Sequence, residues 1–183
     1  MRGFVALELP DAVRQQLAAL GRRLQPLGDV RSTPTSQLYV TLKFLGDVDD
    51  AQAGAIGRHL AAARWQRLQL RPAGLGQFPP RGAPRVLWAG LGGDTAPLAA
   101  LARELETLAT GLGVAGENRP FRAHVTLGRC RSPRGAAALQ RALQELGAGL
   151  DGPDFTATTV TLFRSEPGPA GAVHTPIAHA QLS

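Results

Sequence analysis

A chain of 183 residues is about one domain's worth of sequence, long enough to bury a sizeable core. At 44% hydrophobic and 19% charged residues it reads as an ordinary globular protein, and no apolar run approaches the roughly 18 residues that a membrane span needs. Cys130 is the only cysteine, which excludes an intrachain disulfide and a cysteine-based zinc site, while a net charge of +6 favours anionic partners, nucleic acid first.

That charge permits an RNA partner without demonstrating one. All but one of the 20 basic residues are arginines, in a chain also rich in Ala, Gly and Pro, a bias that the composition of a genome can impose. The N-terminus meets Glu8 too early for an apolar signal segment, so the expected location is the cytoplasm, with no membrane partner.

Residues 3 to 9 alternate as a first strand, and Pro10-Asp11 opens a helix whose Val13, Leu17, Leu20 and Leu24 share one face. Val30 to Thr33 reads as a short strand and Leu38 to Leu45 as a clearer one, stopped by Gly46-Asp47. A second helix is predicted from about Asp50 to Ala63. Strands at Gln66 to Leu70 and Leu75 to Phe78 follow, before the breaker-rich Pro79-Pro80-Arg81-Gly82-Ala83-Pro84. Arg85 to Leu91 is a strand, and residues 95 to 112 form a helix with Leu98, Leu101, Leu105, Leu108 and Leu112 along one stripe. A strand from Ala123 to Gly128, a helix from about Pro133 to Leu146, and strands near Phe155 to Phe163 and Val173 to Leu182 complete the chain. About nine strands and four helices, with few clean strand-helix-strand crossovers, predict an α+β fold with mainly antiparallel sheets.

Chemistry concentrates in Pro120-Phe121-Arg122-Ala123-His124-Val125-Thr126-Leu127-Gly128-Arg129. On a strand, His124 and Thr126 share one face while Val125 and Leu127 point into a core. A titratable ring and a hydroxyl thus project into one space, although a lone histidine on an apolar strand is more often buried and satisfied by a neighbour. An earlier stretch, Leu38-Tyr39-Val40-Thr41-Leu42-Lys43-Phe44-Leu45-Gly46, matches it when aligned on the threonine. Self-similarity at about half the chain length suggests a duplicated lobe that brings two aromatic-x-Thr-Leu strands to a common cleft, with coincidence in strand-rich sequence as the alternative.

These two strands resemble those of the two-histidine phosphoesterases. So do the Phe4-to-Pro10 opening, the Pro84-to-Leu91 strand, the Arg119-to-Leu127 run and the late Leu162-Phe163-Arg164-Ser165, in the same order and spacing. Within that superfamily the chain is most similar to the bacterial and archaeal RNA 2',3'-cyclic phosphodiesterases, historically called 2'-5' RNA ligases. The resemblance implies one domain over residues 1–183: a bilobal, pseudo-symmetric fold of two mainly antiparallel sheets, helices on the outer faces and a central basic cleft. It also implies hydrolysis of an RNA-terminal 2',3'-cyclic phosphate to a 2'-phosphate, with no metal or other cofactor, ATP-independent ligation as the reverse, and a monomer. Smaller cyclic nucleotides or ADP-ribose cyclic phosphates, which related families process, are the alternative substrates that the resemblance leaves open.

Carried over by position, His124 is the general base, Thr41 and Thr126 donate hydroxyl hydrogen bonds to the phosphate, and Arg129 is aimed at the same oxygens. Imidazole suits the task because its pKa lies near 6.5. Ordinary β-propensity is the alternative explanation for both threonines. Lys43, the only lysine, shares a strand face with Thr41 on simple alternation and is a candidate for phosphate contact, a solvated or salt-bridged lysine being the alternative. Phe44 falls on the core side by the same alternation, with base stacking as the alternative.

The chain departs from the pattern at Tyr39, where the first motif begins with histidine. A phenol with an unperturbed pKa near 10 is protonated at neutral pH, so it cannot replace a base but can serve as an acid or hydrogen-bond donor. The expectation is a slowed phosphodiesterase in which Tyr39 stands as the partner of His124; the alternative is a catalytically impaired module that binds RNA ends or nucleotide phosphates. Of the remaining histidines, His59 reads as a surface or packing residue, and nothing in their spacing assigns His174 or His179 to the cleft.

Overall fold

The computed structural model describes residues 1–183. Nine strands run β1 Arg2–Glu8, β2 Val30–Ser32, β3 Tyr39–Asp47, β4 Leu68–Phe78, β5 Val86–Gly93, β6 His124–Cys130, β7 Phe155–Ala157, β8 Thr159–Glu166 and β9 Val173–Gln181. Four α-helices, α1 Asp11–Leu24, α2 Asp50–Ala62, α3 Thr95–Gly111 and α4 Ala136–Ala148, and two short 3-10 turns complete the α+β fold.

The strands do not form two separate sheets. They make one continuous antiparallel sheet in the order β7-β4-β5-β6-β3-β1-β8-β9, with β2 beside β6. The two halves, β7-β4-β5-β6 and β3-β1-β8-β9, join where β3 meets β6, through the single pair Val40–Val125. Thr158 alone links β7, at one end of this order, to β8, near the other. One residue spans only about 3.8 Å between successive Cα atoms, so the sheet must curl until its halves come together there. A continuous run predicted from Phe155 to Phe163 is therefore divided at Thr158, whereas the pieces predicted at 66–70 and 75–78 fuse into β4 across an irregularity between Pro72 and Leu75.

All four helices pack on one face of this sheet. Leu17 and Leu24 of α1, Ile56 and Leu60 of α2, Leu98 and Leu105 of α3, and Leu139 and Leu143 of α4 bury against Leu7, Val40, Leu87, Val125 and Leu162 in one continuous core. The helix stripes that place these leucines follow the 3.6-residue period. Asp49 begins α2 with a capping box, its carboxylate accepting from the Gln52 amide while the Gln52 side chain accepts from the Asp49 N–H. The opposite face carries a second, small cluster of Phe4, Ala6 and Phe163 with Tyr39 packed on it.

Candidate active site

Val40 and Val125, paired across β3 and β6 and fully buried, turn their side chains into the helix-covered core. In an antiparallel pair the neighbours of such residues point the other way, so Tyr39 and Thr41 stand on the open face beside Thr126 and His124. A local twofold through the valine pair relates the two motifs. Their burial follows the same sequence, with the first and third residues partly exposed, the second, fourth and fifth buried, and the sixth exposed.

That sequence is not simple alternation, and the cause is a bulge repeated in each half. Val5 pairs with Lys43 and Ala6 with Thr41, which leaves Leu42 as an extra residue in β3. Leu87 pairs with Gly128 and Trp88 with Thr126, which leaves Leu127 extra in β6. A bulge puts two residues opposite one and shifts the parity of everything beyond it. Lys43 is thereby turned into the core, its side chain only 1% exposed. Its ammonium donates to the Ala115 carbonyl at 2.9 Å and pairs with Glu106 at 2.8 Å and Glu117 at 3.8 Å. The face shared with Thr41 on simple alternation is thus corrected, and the salt-bridged alternative holds for this lysine. Phe44 emerges in its place, 58% exposed and on the open face. Arg129, its counterpart in β6, emerges beside His124 for the same reason.

His124 is held by a hydrogen bond from Nδ1 to the Arg122 carbonyl at 2.7 Å. A carbonyl only accepts, so Nδ1 carries the proton and Nε2 keeps its lone pair in the neutral ring. The imidazole meets the Phe78 ring edge-on at 5.1 Å and lies 6.4 Å from the Trp88 indole. Trp88 in turn lies over Gly76, where a Cβ would come within 2.2 Å of the indole, so only glycine admits this wall. Burial pushes the His124 pKa below the ordinary histidine value, and the Arg129 and Arg122 charges lower it further against the opposing effect of the carbonyl. The ring is therefore neutral near pH 7, as a base must be.

Tyr39 occupies the equivalent place in the other half, with its ring 4.7 Å from Phe163 and 5.9 Å from both Phe4 and His174. Burial raises its pKa to about 12, with Glu8 adding to the rise and Arg14 opposing it. Glu8 is its cross-strand neighbour on β1 and accepts a 2.8 Å hydrogen bond from Thr161. The phenol consequently stays protonated. It is a hydrogen-bond donor and a weak acid, never a base at neutral pH.

The structure thus brings Tyr39, Thr41, His124, Thr126 and Arg129 to one face and removes Lys43 from it. Sequence reasoning missed Phe78, Trp88, Phe4, Phe163 and His174 as wall residues. His174 had no local signal, because it arrives from β9 through the β8–β9 hairpin. His179 lies opposite Thr161 on the exposed part of the same strand.

Two ring-x-Thr motifs, one from each half of a pseudo-symmetric sheet and facing the same space, define the class of two-histidine-type phosphoesterases. The chain belongs to the 2'-5' RNA ligase superfamily, which it matches over residues 9–169. It is 36% identical over 118 residues to an RNA 2',3'-cyclic phosphodiesterase of Aeropyrum pernix, covering 64% of this chain and 67% of that protein. The protein of the same name from Thermus thermophilus is 30% identical over 187 residues, covering 96% and 87% respectively. Among solved structures, TT0787 of Thermus thermophilus matches 100% of this chain and 98% of its own, with a TM-score of 0.81 and 28% identity. Escherichia coli LigT complexed with 3'-AMP covers the same shares with a TM-score of 0.78 and 26% identity.

Proposed function

We propose that this protein is an RNA 2',3'-cyclic phosphodiesterase that opens a terminal cyclic phosphate to a 2'-phosphate by side-chain acid-base catalysis. The observation that carries the reading is the pairing of Tyr39-x-Thr41 with His124-x-Thr126 about Val40–Val125, with His124 Nδ1–H tethered so that Nε2 is the free base. The names of the similar proteins supply the substrate class.

In the proposed reaction, His124 Nε2 takes a proton from water as its oxygen attacks phosphorus. The bond from phosphorus to the 3' oxygen breaks as the Tyr39 hydroxyl gives its proton to the departing oxygen, and the proton that His124 took from water is returned through solvent to the phenolate, which restores both groups. Thr41, Thr126 and Arg129 hold the non-bridging oxygens, where charge accumulates in the transition state. Phe44, exposed on the same face, offers a flat apolar surface to the terminal base.

The test is an oligonucleotide ending in a 2',3'-cyclic phosphate, assayed with protein freed of ribonuclease. Wild type should yield the 2'-phosphate, and His124→Ala should lose about a hundredfold to ten-thousandfold in rate. Equal turnover by both proteins would refute the assignment. The weak acidity of Tyr39 favours one other reading, a module that binds cyclic-phosphate ends without turning them over. Tight, end-specific binding with no product from the wild-type protein would establish that reading instead.

A further inference from the structure

The half of the site that lacks a motif histidine is not without an imidazole. His174, at the start of β9, lies against Phe4 with ring centroids 4.8 Å apart and nearly perpendicular planes. It stands 5.9 Å from Tyr39 and 6.5 Å from Phe163. Two side chains from β2 and the turn after it tie down the turn that leads into β9. Arg31 donates to the Ala170 carbonyl and Gln37 to the Ala172 carbonyl, each at 2.6 Å. The hairpin is thereby strapped across from one half of the molecule to the other, immediately before the residue in question.

The two nitrogens of this ring have different surroundings. Nδ1 is enclosed and has no hydrogen-bond partner. A proton there would be a buried donor without an acceptor, an expensive arrangement, whereas an unprotonated nitrogen with its lone pair in the same place is cheaper. The neutral ring therefore carries its hydrogen on Nε2, the nitrogen that is not enclosed. Burial also lowers the pKa of the ring, which keeps it in this neutral form near pH 7.

Resting on the phosphodiesterase reading above, we propose that His174 is a phosphate-binding residue of this site, supplying Nε2–H as a hydrogen-bond donor to the substrate oxygens on the Tyr39 side. It takes no proton and gives none. His124 remains the base, Tyr39 the donor to the leaving oxygen, and His174 restores to the first half an imidazole contact that position 39 does not provide. The edge-to-face contact with Phe4 and the Arg31 and Gln37 ties orient the ring before substrate arrives, which is how a donor gains catalytic effect.

Two substitutions separate donation from packing. His174→Phe keeps an aromatic ring against Phe4 and Tyr39 but removes the donor, while His174→Gln places an amide donor near the Nε2 position. Calorimetric titration with adenosine 2'-monophosphate should show Kd raised about tenfold in His174→Phe and largely restored in His174→Gln. The kcat on the cyclic-phosphate oligonucleotide should follow the same order. Wild-type affinity in His174→Phe, or equal losses in both variants, would overturn the proposal. Because the binding arm needs no turnover, absence of cleavage by the wild-type protein would refute the enzymatic reading alone.

Discussion

Lys43 provides a sharp test of the bulged geometry, because the same residue would be a phosphate ligand on simple alternation and is an internal cation in the structure. Its ammonium is fully enclosed between Glu106, Glu117 and the Ala115 carbonyl, while the two carboxylates are 32% and 46% exposed. Glu106→Gln keeps the shape and one accepting oxygen but removes the charge at 2.8 Å. Leaving a buried charge wholly uncompensated costs about 3–5 kcal/mol. Here a carbonyl and the carboxylate at 3.8 Å remain, so the expected loss is about 2 kcal/mol. In a chain of this length that lowers Tm by about 4–8 °C. Lys43→Met should change stability by less than about 1 kcal/mol, since it removes the desolvated charge together with its partner's benefit and keeps an unbranched side chain. In the Lys43→Met background, Glu106→Gln should then cost almost nothing, and thermal unfolding of the four proteins reads the coupling. Lysine holds the Glu106 carboxyl below its ordinary pKa, so the pair's contribution is complete above the unfolded carboxylate pKa and is lost as pH falls through the lowered folded value. A KM for cyclic-phosphate ends raised tenfold in folded Lys43→Met would refute the reasoning, as would an unchanged Tm in Glu106→Gln.

Other expectations concern the two motif positions and the exposed ring between them and solvent. Tyr39→His should raise kcat about tenfold or more and Tyr39→Phe should lower it, on the oligonucleotide assay; no gain from histidine would show that position 39 is not the missing acid. The pH profile of wild-type kcat/KM should rise as His124 loses its proton, with the midpoint of that limb below the ordinary histidine pKa, because burial and the two arginines favour the neutral ring. Arg129→Ala should move that limb to higher pH. With Tyr39 at about 12, no falling limb should appear below about pH 10, whereas in Tyr39→His an imidazolium acid should add one and give a bell. Phe44→Ala should leave Tm nearly unchanged, since the ring is largely exposed. It should nevertheless raise KM about fivefold to a hundredfold if the ring stacks on the terminal base, as single-strand stacking contributes roughly 1–3 kcal/mol per base. An unchanged KM would remove Phe44 from the substrate site.

What could be read from the sequence is what strand alternation and helical periodicity determine locally. Tyr39, Thr41, His124 and Thr126 were legible because each motif holds to a period of two through its first three residues, and because one repeat checks the other. The helices were legible through leucines such as Leu98, Leu101 and Leu105, which have nowhere to go but a common core. Beyond Leu42 and Leu127 alternation fails, since nothing in Thr-Leu-Lys-Phe or Thr-Leu-Gly-Arg announces that two consecutive residues will face one partner. That single local event misassigned Lys43 and Phe44. It also explains why Arg129 reaches the open face beside His124: five positions on, it would face the wrong side of an unbulged strand. The same reasoning explains the missed histidine. His174 reaches Tyr39 only because a hairpin folds over and is tied by Arg31 and Gln37, contacts separated in sequence by 139 and 135 residues. A site assembled at the seam of two half-sheets takes its reacting groups from the seam itself, where the repeat exposes them. Its walls come from whatever the curled sheet brings alongside, and that is a property of the fold as a whole rather than of any stretch of chain.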